Sequence, residues 1–235
     1  MSAWKAKRFW KTVTAEACDG GFTIRLDNRA VKTPGKQTLV VPTLAMAQAI
    51  AVEWDEQIGA IKPETMPITR FANSAMEKVT PQFDQVISYL AAYGETDLLC
   101  YRAHGPEDLV QRQAAGWDPL LGWCREDLKA PLLTTAGITF IEQPSASLVT
   151  LHAQVASFSP FQLSGFHDLV AISGSLVLAL GVAKDRITAE QAFALSRIDE
   201  HWQAEQWGTD EDAAELEASK LVAIIDAHRF FGLCG

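Results

Sequence analysis

The 235-residue chain contains no C-x-x-C pair, no H-E-x-x-H and no E-x-x-H. Its four cysteines, Cys18, Cys100, Cys124 and Cys234, are scattered, so their spacing indicates neither a zinc site nor a disulfide framework, and a reducing compartment is expected. The glycines give no G-x-x-x-x-G-K-[ST] and no G-x-G-x-x-G, which leaves nucleotide binding unsupported, and "TPGKQT" is a turn. A G-x-S-x-G elbow is absent too, and pairing a cysteine with one of five dispersed histidines is arbitrary. No run reaches the roughly 18 apolar residues of a membrane span. The longest, "LVAISGSLVLALGVA", is interrupted by Ser173, Gly174, Ser175 and Gly181 and reads as a buried helix.

Positive charge is also in short supply. Twenty basic against 29 acidic residues leave a net charge of −9, which disfavours general binding to nucleic-acid phosphates or an anionic membrane face. The basic start, "MSAWKAKRFWK", has no apolar signal region and is short for a transit peptide, so a cytoplasmic protein is expected. Repeats and low-complexity tracts are missing, while 48% hydrophobic content is enough for a real core.

The sequence predicts an α+β fold: a small antiparallel β-rich N-terminal domain over residues 1–62 with one helix, then a larger, mainly α-helical domain over 63–235. In "GFTIRLD", Phe22, Ile24 and Leu26 alternate with Thr23 and Arg25, the pattern of a half-buried strand. "AVKT" and "TLVV" are further short strands, and Phe9 and Trp10 are expected to begin the β core. Thr43 caps a helix whose stripe is Ala47, Ile50, Ala51, Trp54 and Ile58, with Gly59 as its stop. Thr80 and Pro81 read as the start of another helix, and "PEDLVQRQAAGWDPLLGWCREDL" as a third with a bend near Pro119. "LLTTAGITFIEQP" reads as an extended interruption, a short hairpin, before helices resume at Ser147.

Near the C-terminus, "IDEHWQAEQWGTDEDAAELEASK" combines strong acidity with two tryptophans. Thr188 and Gln191 form a capping-box pattern, and the stripe of the helix they start takes in Leu195, Ile198 and Trp202. At 100° per residue, Glu205 falls within about 20° of Ile198 and about 60° of Trp202. Gly208 ends this helix. Thr209 or Asp210 caps the next, whose stripe is Leu221, Ile224, Ile225, His228 and Phe231. A helix corner results. The plain reading makes Asp210 only a cap and Glu205 only a salt-bridge partner of a neighbouring helix. His201 and Glu205 stand four apart, but two residues do not make a metal site, and no metal or cofactor is expected. The supply of tryptophan, with Trp54, Trp117, Trp123, Trp202 and Trp207 in or beside predicted helices, favours a protein-binding module. The competing reading is an enzyme with Glu205, Asp210 and His201 as acid–base groups in a cleft between the two parts.

The segments "RFWK", "LDNRAVKTPGK", "LAMAQAIAVEWDEQ", "MPITRFANSA", "YGETDLLCYRA", "GWDPLLGW", "GSLVLALG" and "DEHWQAEQWGTDEDA" together resemble, almost end to end, the assembly chaperone family of the F(1) ATP synthase, known from mitochondria and related bacteria. The resemblance implies a β-rich then helical fold and a non-enzymatic role. That role is transient binding of the unassembled alpha subunit, shielding its beta-facing surface until the hexamer forms. Charge and the absence of a long apolar run lead us to expect no nucleic-acid binding and no membrane insertion, and a monomer is expected. The family's acidic motif falls on Glu205 and Asp210. Trp202, Trp207 and Trp54 match family positions as further client-binding residues. Lacking the targeting extension of mitochondrial members, the chain is expected to be a bacterial, cytoplasmic form.

Overall fold

In the computed structural model, residues 7–208 and 210–235 are described. They divide into two compact units. The first runs to Gln82 and takes in Pro160–Gly165 and Arg229–Gly235; the second holds Phe83–Ser159 and Phe166–His228.

The first unit is built on a hairpin of β1 (Val13–Cys18) and β2 (Gly21–Leu26), antiparallel from Val13 opposite Leu26 to Cys18 opposite Gly21. Glycine is needed at the tight end: a Cβ on Gly21 would run into the Val41 carbonyl oxygen. The strand β2 also pairs with β3 (Arg29–Ala30) and β4 (Val40–Val41), both antiparallel, which gives the small sheet that the sequence predicts. Both extra strands are shorter than "AVKT" and "TLVV" imply. The turn between them takes their residues instead: Lys36 N–H donates to Thr33 O (2.9 Å) and Thr33 N–H to Gln37 O (2.8 Å). Ile24 and Leu26 are buried as expected, and Thr23 joins them because its hydroxyl donates to Leu39 O (2.8 Å). Trp10 is buried, but Phe9 is 59% exposed, lying edge-on to Trp10 under the Arg29 guanidinium rather than in the core.

The helix α1 (Leu44–Asp55) packs on this sheet with Met46, Ala47 and Ile50 buried, and the Thr43 hydroxyl caps it by accepting from Met46 N–H (3.1 Å). It ends before Ile58, which is 89% exposed, so the predicted stripe overshoots by one turn. Within α1 the buried charged residue is Glu53. Its carboxylate accepts from Ile68 N–H (2.7 Å), Thr69 N–H (2.8 Å) and Thr69 Oγ1 (2.6 Å), fixing the start of α2 (Pro67–Ser74). Thr80 is not a helix cap. The backbone is already helical there, through a π turn at Ala75–Val79, and the Thr80 hydroxyl donates back to Ala75 O (2.8 Å). A wider turn ahead of Pro81, which has no N–H to donate, lets the helical path continue where a regular ladder breaks. Phe230 stacks on Phe71 (centroids 5.1 Å apart) and Leu233 O accepts from the Thr43 hydroxyl (2.6 Å), so the C-terminal residues complete this unit.

The second unit is helical: α3 (Phe83–Ala91), α4 (Glu107–Glu126), α5 (Ser145–Ala156), most of α6 (Pro160–Ser173), α7 (Leu176–Ala183), α8 (Ala189–Ser196), α9 (Ile198–Trp207) and most of α10 (Glu211–Gly232). Its extended pieces, β5 (Tyr101–Arg102) and β6 (Thr135–Ala136), pair in parallel. The expected hairpin within "LLTTAGITFIEQP" is therefore replaced by a long-range pair. A parallel pair needs a crossover, which α4 supplies. Ser147 does not start α5 but lies buried inside it, its hydroxyl donating to Pro131 O (2.6 Å). The run "LVAISGSLVLALGVA", expected as one buried helix, is divided between the end of α6 and α7, and α7 is buried throughout Leu176–Val182. It is entered through Gly174 at φ +68° and capped by the Ser175 hydroxyl, which donates in turn to the fully buried Asp97 carboxylate (2.7 Å).

Candidate functional site

Thr188 and Gln191 form both halves of the capping box, and α8 starts where the sequence places it. It then stops at Ser196. Arg197 leaves helical geometry (φ −114°, ψ 16°), held by Ile172 O (2.8 Å) and by the Glu200 carboxylate (2.7 Å). The expected stripe from Leu195 to Trp202 is thus divided between two helices. The geometry relating Ile198, Trp202 and Glu205 survives, because all three lie on α9.

No residue of α9 is fully buried. What holds this helix is a set of side-chain contacts to α4: the buried Gln113 amide donates from Nε2 to Asp199 Oδ1 (2.6 Å), and two further contacts lie one and two turns on along α9. Trp202 Nε1–H donates to Asp108 Oδ2 (2.7 Å), and the Arg112 guanidinium grips Glu205 with both arms, Nη1 to Oε1 at 2.8 Å and Nη2 to Oε2 at 2.7 Å. Asp108 and Arg112 are one turn apart on α4, as Trp202 and Glu205 are on α9, so these last two contacts form adjacent rungs of a ladder. The Arg112 hydrogen bond holds the Glu205 carboxyl below its usual range, and the Trp202 hydrogen bond does the same for Asp108. Both acids are therefore ionised at neutral pH and both are engaged.

Trp207 closes α9. It stands edge-on against Trp202 (centroids 5.7 Å, planes at 88°) and is 74% exposed. Gly208, at φ +88°, ends the helix. Asp210 caps α10 by accepting from Ala213 N–H (3.0 Å), while Thr209, the other predicted cap, lies outside the described residues. His201 does not face Glu205 as a co-ligand; its Nε2 meets Glu217 Oε1 of α10 at 2.5 Å. The buried line of α10 is Ile224, Ala227 and Phe230. Leu221, Ile225, His228 and Phe231 are half-buried, so the predicted stripe is rotated.

Four of the five predicted site residues, Trp202, Glu205, Trp207 and Asp210, thus gather on α9 and the turn into α10. Trp54 belongs to the first unit, where its ring meets Trp10 edge-on at 5.4 Å. Sequence reasoning missed Asp108 and Arg112. Their i, i+4 spacing on a predicted helix was visible, but nothing local says which helix they address. Among the described residues no cluster of three or more His, Cys, Asp or Glu is placed to hold a metal ion. Burial pushes the thiols of Cys100 and Cys124 up to about 12, which makes them inert core groups at neutral pH. No helix of the described residues is long and apolar enough to cross a membrane.

The pattern defining the ATP12 chaperone proteins matches residues 7–125, a stretch that contains Asp108 and Arg112. The mitochondrial protein atp12 of Schizosaccharomyces pombe is 26% identical over 229 residues, spanning 92% of this chain and 78% of its own length. The crystal structure of Atp12 from Paracoccus denitrificans superposes with a TM-score of 0.96 at 52% identity, covering 99% of this chain and 100% of that one. A protein from Agrobacterium tumefaciens gives 0.94 at 36% identity, covering 97% and 86%.

Proposed function

The chain belongs to the ATP12 chaperone protein family, a family of ATP synthase assembly chaperones, and we propose that it binds the unassembled alpha subunit of the F(1) sector through the α9–α10 turn. By covering the surface that later meets the beta subunit, it keeps an apolar subunit interface from aggregating before the hexamer closes.

The observation that carries this reading is Trp207, a large aromatic side chain exposed at a helix end yet held by Trp202, which is itself bonded to Asp108. A fixed exposed tryptophan loses little freedom when a partner covers it, which is why such residues serve as anchors in interfaces. The Glu205 charge is matched by Arg112, while Asp210, Glu211 and Asp212 surround the turn with negative charge. That charge selects a client surface carrying basic groups and disfavours acidic ones.

The test is light scattering of purified alpha subunit after dilution from denaturant, with and without this protein, followed by sizing. Suppressed scattering with a soluble complex is expected, and both are lost on replacing Trp207 with alanine or Glu205 with lysine. A folded protein that neither suppresses scattering nor forms a complex removes the proposal.

A further inference from the structure

A buried donor or acceptor left unpaired is unfavourable, and about nine in ten such groups in folded proteins have a partner. Among the described residues, the buried side-chain atoms without a protein partner are Trp10 Nε1, Thr33 Oγ1, Trp54 Nε1 and Asn73 Oδ1. Three of these four residues, Thr33, Trp54 and Asn73, line a single groove of the first unit, with a volume of about 500 Å³. Thr33 is only 3% exposed, so its free hydroxyl belongs to a fully buried residue.

The groove runs between the Lys32–Pro34 turn and the helical face that carries Arg70, Asn73 and Lys78. Its apolar side comes from the Trp54 ring, Ile61, Pro63 and Met66. At the rim, the one acid, Glu77, is already engaged by the Gly35 N–H. Lys32, Arg70 and Lys78 have no ion-pair partner among the described residues. In a chain of net charge −9, three cations without ion-pair partners against one acid, around an apolar groove with buried orphan polar atoms, make a local reversal of sign.

We propose that this groove binds a short peptide segment presenting a carboxylate between apolar side chains. The carboxylate meets Arg70 and the rim lysines, where charged hydrogen bonds are strongest. The flanking apolar side chains lie on Trp54, Ile61 and Met66. Trp54 Nε1, Thr33 Oγ1 and Asn73 Oδ1, which have almost no exposed surface in this structure, turn toward the segment as it seats: the first two donate to its carbonyl oxygens and Asn73 Oδ1 accepts from one of its N–H groups, the mixed complement that a peptide backbone offers and a lone apolar acid does not. The peptide class rests on the chaperone reading. The site itself lies in the other unit from Trp207 and stands on separate observations.

The test uses the full chain labelled with ¹⁵N. Its seven tryptophans each give an indole N–H signal, and Trp54 is assigned by its loss in Trp54→Phe. Titration with N-acetyl-Leu-Asp-Val-amide is expected to move the Trp54 indole proton downfield, saturably. Replacing the peptide's aspartate by asparagine, or making Arg70→Glu in the exposed rim, is expected to weaken binding by about tenfold or more. Arg70→Glu should leave the remaining spectrum as in the wild type. An unmoved Trp54 signal at millimolar peptide overturns the proposal. So does equal binding of the asparagine peptide, and so does hexanoate binding as tightly as the peptide, which makes the groove a small-carboxylate site. Because no alpha subunit is present, a negative result here is distinct from failure of the scattering assay.

Discussion

Arg112 on α4 holds Glu205 on α9 through two parallel contacts of 2.8 and 2.7 Å, one helical turn from the point where Asp108 receives the Trp202 indole hydrogen at 2.7 Å. A helix with no fully buried residue is thereby fixed by polar rungs more than by a core. Surface pairs of this kind add little stability singly, but a bidentate arginine–carboxylate pair fixes orientation.

Glu205→Lys places two cations face to face. We expect the melting temperature to stay within about 3 °C of the wild type, since both side chains are about half exposed, while suppression of alpha-subunit aggregation falls. The charge-swapped double variant Arg112→Glu with Glu205→Lys separates two roles. If it restores the helix position by NMR but not suppression, Glu205 meets the client directly; if both return, Glu205 acts by holding α9.

At Asp210, capping and charge can be separated. Asp210→Ala removes the acceptor for Ala213 N–H and is expected to cost about 1 kcal/mol by thermal or urea unfolding. Asp210→Asn keeps an acceptor oxygen and should unfold like the wild type. Weakened client binding in the asparagine variant would assign the charge, and unchanged binding would leave Asp210 as a cap alone.

Asp27 ties the hairpin together, accepting from Thr12 N–H (2.9 Å), Lys11 N–H (3.0 Å) and the Thr12 hydroxyl (3.0 Å). The Thr12 and then the Lys11 backbone hydrogen bonds hold its carboxyl below the usual range. A carboxyl depressed in the folded state stabilises above its unfolded value, near pH 4, and that contribution is lost as pH falls through the folded value. Asp27→Asn should therefore lower the melting temperature at pH 7, and the gap from the wild type should close on acidification below about pH 4. A gap independent of pH would show that the charge is irrelevant.

Glu53 is the buried acid that starts α2. Glu53→Ala leaves Ile68 N–H, Thr69 N–H and the Thr69 hydroxyl without their acceptor in a buried site. The expected loss is about 3 kcal/mol in chemical unfolding. Amide exchange should rise at Ile68 and Thr69 first.

Lys36 adopts φ +69°, a left-handed conformation that suits glycine, after the Thr33–Pro34–Gly35 turn. Lys36→Gly removes the strain at the cost of a more flexible unfolded chain. A net gain of about 0.5–1 kcal/mol is expected by equilibrium unfolding.

Several elements were set by neighbours in the chain. The alternation in "GFTIRLD", the Thr43 cap, the Thr188–Gln191 box and the Gly208 stop are all short-range relations, and each stands where sequence pattern places it. The α+β order of the fold follows from them.

Only the tertiary structure decided the rest, because the deciding contacts join residues far apart in the chain. Pairing of Tyr101–Arg102 with Thr135–Ala136 needs α4 between them; the end of α8 at Ser196 depends on an Arg197 contact to Ile172; and Phe230 returns to Phe71 across most of the sequence. The same holds at the site. That α9 carries a tryptophan and an acid one turn apart was fixed by sequence, but that Asp108 and Arg112 receive them is fixed by how α4 and α9 pack. Helical periodicity says which side chains share a face, and it carries no information about which helix that face will meet.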